Sequence, residues 1–281
     1  MLIKTAFELA STKLKSAGIA SAQMEARLLL SKALKKSKEY LISHTEDEID
    51  PIQEEKFFSF TERRTRFEPI AYIIGTKEFF GRDFIVNHST LIPRPDSEIL
   101  VEAVVKYANE TPINNILELG CGSGCLIITI ALEMESKETD FTAIDISADA
   151  LSVAKTNAQQ LGAKIDFLES NWFENLSQNK TYDIIISNPP YISPSSTEVA
   201  KETLLHEPHI ALFGGETGLK CYEVIASESG RFLATGGRIY LEIGYDQENA
   251  VREIFTRESF ELLSIYKDLG GHSRCLCFRK L

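Results

Sequence analysis

At 281 residues the chain is long enough for one large or two modest domains. Hydrophobic residues at 43% and charged residues at 25% are ordinary for a globular protein and exclude a disordered or collagen-like chain. Thirty Lys and Arg against 41 Asp and Glu leave a net charge of −11. Such a surface is a poor general trap for phosphate backbones, so stable nucleic-acid binding is not expected without a local basic patch.

The N-terminus scatters charges through its apolar positions and lacks the continuous apolar stretch and cleavage site of a signal peptide. No apolar run approaches the ~20 residues of a membrane span. A soluble, cytoplasmic protein without a membrane partner is expected. Five cysteines cannot all pair internally.

Residues 1–66 carry helix signals. Leu2, Ala6, Phe7, Ala10 and Leu14 fall at helical spacing and Gly18 stops the run. Met24 to Leu34 is rich in good helix formers. Asp50 can cap a third helix with Pro51 in its first turn, running to about Arg66. Glu78–Phe80 and Asp83–Val86, around Gly81–Arg82, read as a hairpin. In Leu91-Ile92-Pro93-Arg94-Pro95-Asp96 two prolines predict an extended, stiff loop.

From about residue 97 strand and helix signals alternate. Strands are predicted at Asn115–Leu119, Phe141–Asp145, Ile165–Glu169, Asp183–Ser187, Arg238–Ile243, Phe260–Tyr266 and Arg274–Arg279. Helices are predicted over 97–109, 124–134, 148–161, 217–234 and 247–258. This rhythm predicts an α/β fold with a mostly parallel sheet covered on both faces, its last two strands an antiparallel edge pair.

The first strand leads into Gly120-Cys121-Gly122-Ser123-Gly124. Glycines there allow a tight turn and close approach of a ligand, and the first crevice of a doubly wound sheet is where nucleotide-like ligands bind. The spacing is neither the dinucleotide fingerprint nor a P-loop. Asp145 ends the next strand, 25 residues beyond Gly120, where a carboxylate can accept the ribose hydroxyls of an adenosine. Together these features favour S-adenosylmethionine, which has no pyrophosphate to cradle.

The fourth strand runs into Asn188-Pro189-Pro190-Tyr191. Prolines remove donors and stiffen the loop. The Asn188 side-chain oxygen and the Pro189 carbonyl form an acceptor array suited to a planar NH2 group, and the Tyr191 ring can pack on its flat face.

The combination resembles the HemK/PrmC-type protein-glutamine methyltransferases, which methylate a glutamine amide nitrogen in peptide chain release factors. The resemblance rests on Glu25 to Leu30, Leu91 to Glu98, Glu118 to Gly124, Ser170-Asn171-Trp172-Phe173, Asn188 to Tyr191, and Glu207-Pro208 followed by Ala211 to Gly215, Gly218-Leu219 and Tyr222. Cys121 stands where Thr is more usual, and Asn171 where Asp is.

The resemblance implies a class I S-adenosylmethionine-dependent methyltransferase fold, Rossmann-like with a seven-stranded sheet. Its domains would be a helical substrate-docking domain over 1–72, a hairpin linker over 73–92 and the methyltransferase domain over 93–281. Asn188 and Pro189 would be catalytic, and Asn188, Pro189, Pro190 and Tyr191 would bind substrate. Gly120, Cys121, Gly122, Ser123, Gly124, Asp145, Trp172 and Asn188 would bind S-adenosylmethionine, leaving S-adenosylhomocysteine as product. The implied partners are release factors 1 and 2, methylated at N5 of the glutamine in their Gly-Gly-Gln motif.

Competing readings are a glutamine methyltransferase acting on a ribosomal protein, an adenine-N6 nucleic-acid methyltransferase, and an inert adaptor that keeps the fold. No metal is expected. Neither Cys121 with Cys125 nor Cys275 with Cys277 has zinc-type spacing near histidines, and His206 with His209 lacks a third ligand. Arg63, Arg64 and Arg66 offer a weak docking surface for an acidic partner. Arg94 is left open between the cofactor's carboxylate and a structural salt bridge.

Overall fold

Residues 1–134, 138–197 and 199–281 are described in a computed structural model. The chain divides into two compact units. One is Met1–Thr76 together with Val199–His206, and the other takes the remainder from Lys77 onward.

The first unit contains α1 (Ile3–Ser16), α2 (Ala22–Leu34), α3 (Lys38–Ser43), α4 (Pro51–Thr65) and α5 (Ile70–Ile74). Ile3, Ala6, Ala10 and Leu14 form the buried stripe of α1, at the spacing that places them on one face. Asp50 caps α4, its Oδ1 accepting from Ile52 N (2.9 Å) and Gln53 N (3.4 Å), with Pro51 in the first turn. Helices α3 and α5, of six and five residues, are too short to show a period in sequence.

A hairpin of β1 (Thr76–Phe79) and β2 (Arg82–Ile85) follows, all but Thr76 in the second unit. Its turn is Phe80–Gly81, both at positive φ (51° and 73°), the two-residue geometry that matches strand twist. The strands therefore end earlier than expected, because Phe80 N donates to Glu98 Oε1 (2.9 Å) and stays in the turn. The proline loop also departs from expectation, since Pro95–Ser97 forms a single 3₁₀ turn.

There follow α6 (Glu98–Glu110), β3 (Asn115–Leu119), α7 (Cys125–Glu133), β4 (Asp140–Asp145), α8 (Ala148–Leu161), β5 (Asp166–Glu169) and β6 (Tyr182–Ser187). Next come α9 (Lys201–His206), which lies in the segment assigned to the first unit, and α10 (Lys220–Ser229), β7 (Leu233–Glu242), α11 (Glu248–Arg257), β8 (Phe260–Lys267) and β9 (Ser273–Lys280). The helix expected over 217–234 is thus shorter at both ends. Gly218 takes φ 75°, outside the helical region, and the Phe232 carbonyl accepts from Tyr182 N (2.8 Å). That bond draws the chain into β7 well before Arg238.

Among the described residues seven strands form one sheet in the order β5-β4-β3-β6-β7-β9-β8. β3 to β7 run parallel, and β9 is antiparallel to both neighbours. Alternate residues serve opposite faces. Ile116, Ile184, Ile186 and Tyr240 join one apolar cluster with residues of α6, α7 and α8. Leu117, Ile185, Ile239 and Leu241 join the other with residues of α10 and α11. From β3 the sheet grows one way through β4 and β5 and the other way through β6 and β7. The carboxyl ends of β3 and β6 therefore flank the crevice where the strand order reverses.

Inside the helical unit, Glu25 of α2 and Arg64 of α4 form an ion pair, each 6% exposed. Ser21 Oγ donates to Glu25 Oε1 (2.7 Å), and Arg64 also donates to the Glu68 carbonyl (3.1 Å) and Glu202 Oε2 (2.8 Å). Removing one member of a buried pair leaves an uncompensated charge at a cost of about 3–5 kcal/mol, whereas replacing both by apolar groups is often neutral. Arg64→Met should therefore lower the thermal unfolding midpoint markedly. The double change Glu25→Met with Arg64→Met should recover most of the loss. A single change as mild as the double one would show that the pair does not hold α2 against α4.

Candidate active site

The glycine turn leaves β3 at Gly120. Cys121 N donates to the Ile144 carbonyl (2.9 Å), which anchors the turn to β4. Gly124, at φ 76°, begins α7, and a Cβ there would lie 2.9 Å from Ile128 Cδ1 and 3.2 Å from Ala154 Cβ. Only glycine lets α7 and α8 close up at this point.

Asp145, at the end of β4, holds the same turn from the other side. Its Oδ2 accepts from Gly122 N (2.8 Å) and its Oδ1 from Ser147 N (2.9 Å). Burial pushes this carboxyl up from its ordinary range, while the backbone donors at Ser147, Gly122 and Ile146 oppose the shift. Each carboxylate oxygen has a second lone pair for a ligand hydroxyl. Glu118, 1% exposed, accepts from Ile127 N (3.2 Å). Burial raises it strongly, and the Asp145 charge adds to the rise.

Asn157 of α8 ties the turn to the hairpin. Its Nδ2 donates to the Ser123 (2.9 Å) and Ile85 (3.0 Å) carbonyls, and its Oδ1 accepts from Ile85 N (2.7 Å).

One strand away, Ser187 Oγ donates to the Leu119 carbonyl (2.8 Å), locking the ends of β3 and β6 together. The next residue is Asn188, whose Nδ2 donates to Ser97 Oγ (3.3 Å). That bond takes one of the two Nδ2 hydrogens, and the side-chain oxygen can accept from a ligand.

Three features brace the loop that follows. Ile192 N donates to the Leu212 carbonyl (2.9 Å) and Gly214 N to the Ile192 carbonyl (3.0 Å). Gln247 Nε2 donates to the Tyr191 carbonyl (3.0 Å). A Cβ on Gly214 would stand 2.4 Å from the Pro190 carbonyl oxygen. Gly214 thus stands where two backbones approach too closely for a side chain, and Gly215 takes φ 81°, which favours glycine. Glu207, 4% exposed, braces the proline loop by accepting from Ile92 N (3.0 Å) and pairing with Arg94.

These groups surround a cavity of about 300 Å³. Of the expected site residues, Gly120, Cys121, Gly122, Ser123, Asp145, Trp172, Asn188 and Pro190 line it, as do Ser97, Glu118 and Arg94. Gly124, Pro189 and Tyr191 are not among its lining residues. Tyr191 packs against the apolar cluster beneath α10 and α11, and burial raises its hydroxyl. Arg94 both makes the salt bridge and lines the cavity. Asn171 Nδ2 donates to Glu174 Oε1 (2.8 Å).

Burial pushes Cys125 up to about 12, as it does Cys221 to about 11, so both are thiols at neutral pH. Among the described residues no cluster of three or more His, Cys, Asp or Glu is placed to hold a metal ion, and no helix is long and apolar enough to cross a membrane. Asn157 and Gln247 were not singled out in the sequence, and Ser97 entered only as part of the motif over Leu91 to Glu98. Each is an ordinary polar residue whose partners lie far away along the chain.

A family model described as the PrmC N-terminal domain matches residues 5–75, and one described as the methyltransferase small domain matches 95–219. A release factor glutamine methyltransferase of Koribacter versatilis is 35% identical over 281 residues, covering 100% of this chain and 99% of that protein. The chain belongs to the release factor glutamine methyltransferase family.

A bifunctional methyltransferase of Rickettsia felis is 44% identical over 306 aligned residues, covering 98% of this chain and 58% of that protein. The chain therefore spans little more than half the length of such relatives. A methyltransferase structure from Pyrococcus furiosus shares the fold, with a TM-score of 0.54 at 18% identity over 78% of this chain and 97% of that one. The second unit of this family member is thus a class I S-adenosylmethionine-dependent methyltransferase fold.

If Gly214 matters through its closeness to Pro190, Gly214→Ala should displace the loop. Amide exchange at Ile192 and Gly214 should accelerate while the Cys121 amide keeps its protection. Unchanged exchange at Ile192 would mean that the loop is held by something else.

Proposed function

We propose that this protein transfers a methyl group from S-adenosylmethionine to the side-chain amide nitrogen of a glutamine in peptide chain release factors 1 and 2, in the cytoplasm. The observation that carries the reading is the meeting of the glycine turn and Asn188 in one cavity, at the ends of adjacent strands. Membership in the family supports the substrate.

The cavity residues fit the cofactor. Asp145 has lone pairs for the ribose hydroxyls, the turn offers backbone at close range, and Trp172 offers a flat apolar face for adenine. Bound there, S-adenosylmethionine would supply a methyl carbon made electrophilic by its sulfonium, with S-adenosylhomocysteine as the product. Asn188 Oδ1, on the cavity wall, would accept one amide hydrogen of the glutamine, and the Pro189 carbonyl, outside the lining of the cavity as it stands, would accept the other. Holding both hydrogens draws the nitrogen lone pair out of conjugation and aims it. Because a carboxamide is a feeble nucleophile, orientation must supply much of the rate, and in favourable cases it contributes up to ~7–11 kcal/mol. The proton leaves to solvent after transfer, so no side chain need act as base. The helical unit would dock the release factor and Tyr191 would shape the substrate pocket.

The test is incubation with labelled cofactor and, separately, release factor 1, release factor 2, ribosomal protein and DNA. Label on a release factor glutamine supports the reading, and label confined to another substrate rejects it. Asn188→Ala should cut turnover by roughly 100-fold or more with cofactor Kd barely changed. Asp145→Ala should weaken cofactor binding first. Equal effects of both on cofactor Kd would contradict the division of roles.

A further inference from the structure

Glu242 is the last residue of β7 and stands behind Asn188, where the reaction described above makes no use of it. The parallel register pairs Ser187 with Leu241, so Asn188 and Glu242 follow side by side, with Cys275 of β9 on the far side. Glu242 is 3% exposed, and its Oε2 is fully buried without a hydrogen-bond partner among the described residues. Arg274, the cation that acts on it, is engaged by Asp96 (2.9 Å) and Asp268 (2.8 Å).

A buried acid without its own counterion costs stability, and an apolar or amide side chain of similar size would fill the place at less cost. The arrangement makes sense through its neighbours. Hydrogen bonding from Ser97 and Asn188 lowers this carboxyl against its burial, and Asn188 Nδ2 donates to Ser97 Oγ (3.3 Å). An ionised carboxylate only accepts hydrogen bonds. Facing it, the Asn188 carboxamide must turn its NH2 inward and its oxygen outward. A protonated acid or an amide can donate as well, and then the carboxamide can flip. A flipped Asn188 would set its NH2 against the NH2 of the substrate.

We propose that Glu242 is a positioning residue that, as a carboxylate, fixes which edge of the Asn188 carboxamide faces the cavity. The inference rests on the glutamine-methylating reading of the same site.

Burial pushes the Glu242 carboxyl up to about 7, against hydrogen bonding from Ser97. The Asp96 charge adds to the rise, while Arg274 and Asn188 oppose it. Tyr191, Tyr222, Cys125 and Cys275 also feel its charge, and burial holds all four neutral near pH 7. The carboxylate, and with it the ordered Asn188, should therefore be lost as pH falls through about 7. The sign for stability is opposite. The folded acid holds its proton more tightly than the unfolded one, so ionisation costs stability as pH rises towards 7. An isosteric amide is spared that cost.

The experiment compares wild type and Glu242→Gln by release factor methylation against pH, by calorimetric titration with S-adenosylmethionine, and by thermal unfolding at pH 8. The variant should lose roughly 10- to 100-fold in kcat, with KM for release factor and cofactor Kd within about twofold. It should melt at or above the wild-type midpoint and lack the acidic limb near pH 7. A variant with wild-type kcat and the same limb overturns the proposal. So does a variant that loses kcat only in proportion to lost folding. A wild-type chain that leaves the glutamine unmethylated overturns the functional reading itself. Should the variant not fold, the Asn188 side-chain amide resonances of the wild-type protein decide. A titration near pH 7 supports the proposal, and constancy between pH 5.5 and 8.5 overturns it.

Discussion

The site depends on the parallel pairing of β3 with β6. Ile116, Leu117, Glu118 and Leu119 lie opposite Ile184, Ile185, Ile186 and Ser187, so both strands end at the same level. The Ser187 hydroxyl on the Leu119 carbonyl fixes that level at the last pair. A one-residue slip would reverse every side chain of β6 between the two cores and carry Asn188 away from the glycine turn. Both faces of the sheet are buried, so the slip is opposed along the whole strand. The apolar core thus sets the distance between the glycine turn and Asn188 across the cavity.

The loop over Leu91 to Asp96 and the loop after Asn188 carry few hydrogen bonds of their own, since prolines remove donors from both. Support comes from outside them. Glu207 holds the proline loop at Ile92 and Arg94, and Gln247 with the Gly214 backbone holds the loop after Asn188. Residues distant in sequence therefore share one task, to keep two stiff loops facing each other. On the proposed reaction this stiffness has a use, because an amide nitrogen is a feeble nucleophile that must be oriented to react.

The strand-helix rhythm and the two short motifs were legible because each leaves a local trace. Asn115–Leu119 and 148–161 were bounded correctly, since a strand followed by a glycine turn, and a helix capped by Ser147 and closed by Gly162, carry their own ends. The hairpin turn at Phe80 was misplaced because its left-handed backbone depends on Glu98, far along the chain. The early start of β7 was missed because Tyr182 supplies the pairing bond. Asn157, Gln247 and Glu242 were illegible for the same reason. Each acts through a partner that only the folded sheet brings near, and a lone Asn, Gln or Glu looks like surface.

The charges around the cavity narrow the ligand further than the motifs do. The acidic groups on its wall, Glu118 and Asp145, are both raised by burial, and Arg94 on the same wall is paired with buried Glu207. A phosphate brought here would meet two carboxyls and a cation already engaged, and its desolvation would go uncompensated. A sulfonium or an ammonium would meet the opposite. It would favour ionisation of the two buried acids and gain from them at low local dielectric. The spacing of the glycines argues against a dinucleotide by its form. The wall argues against it by its charge, and the two arguments are independent.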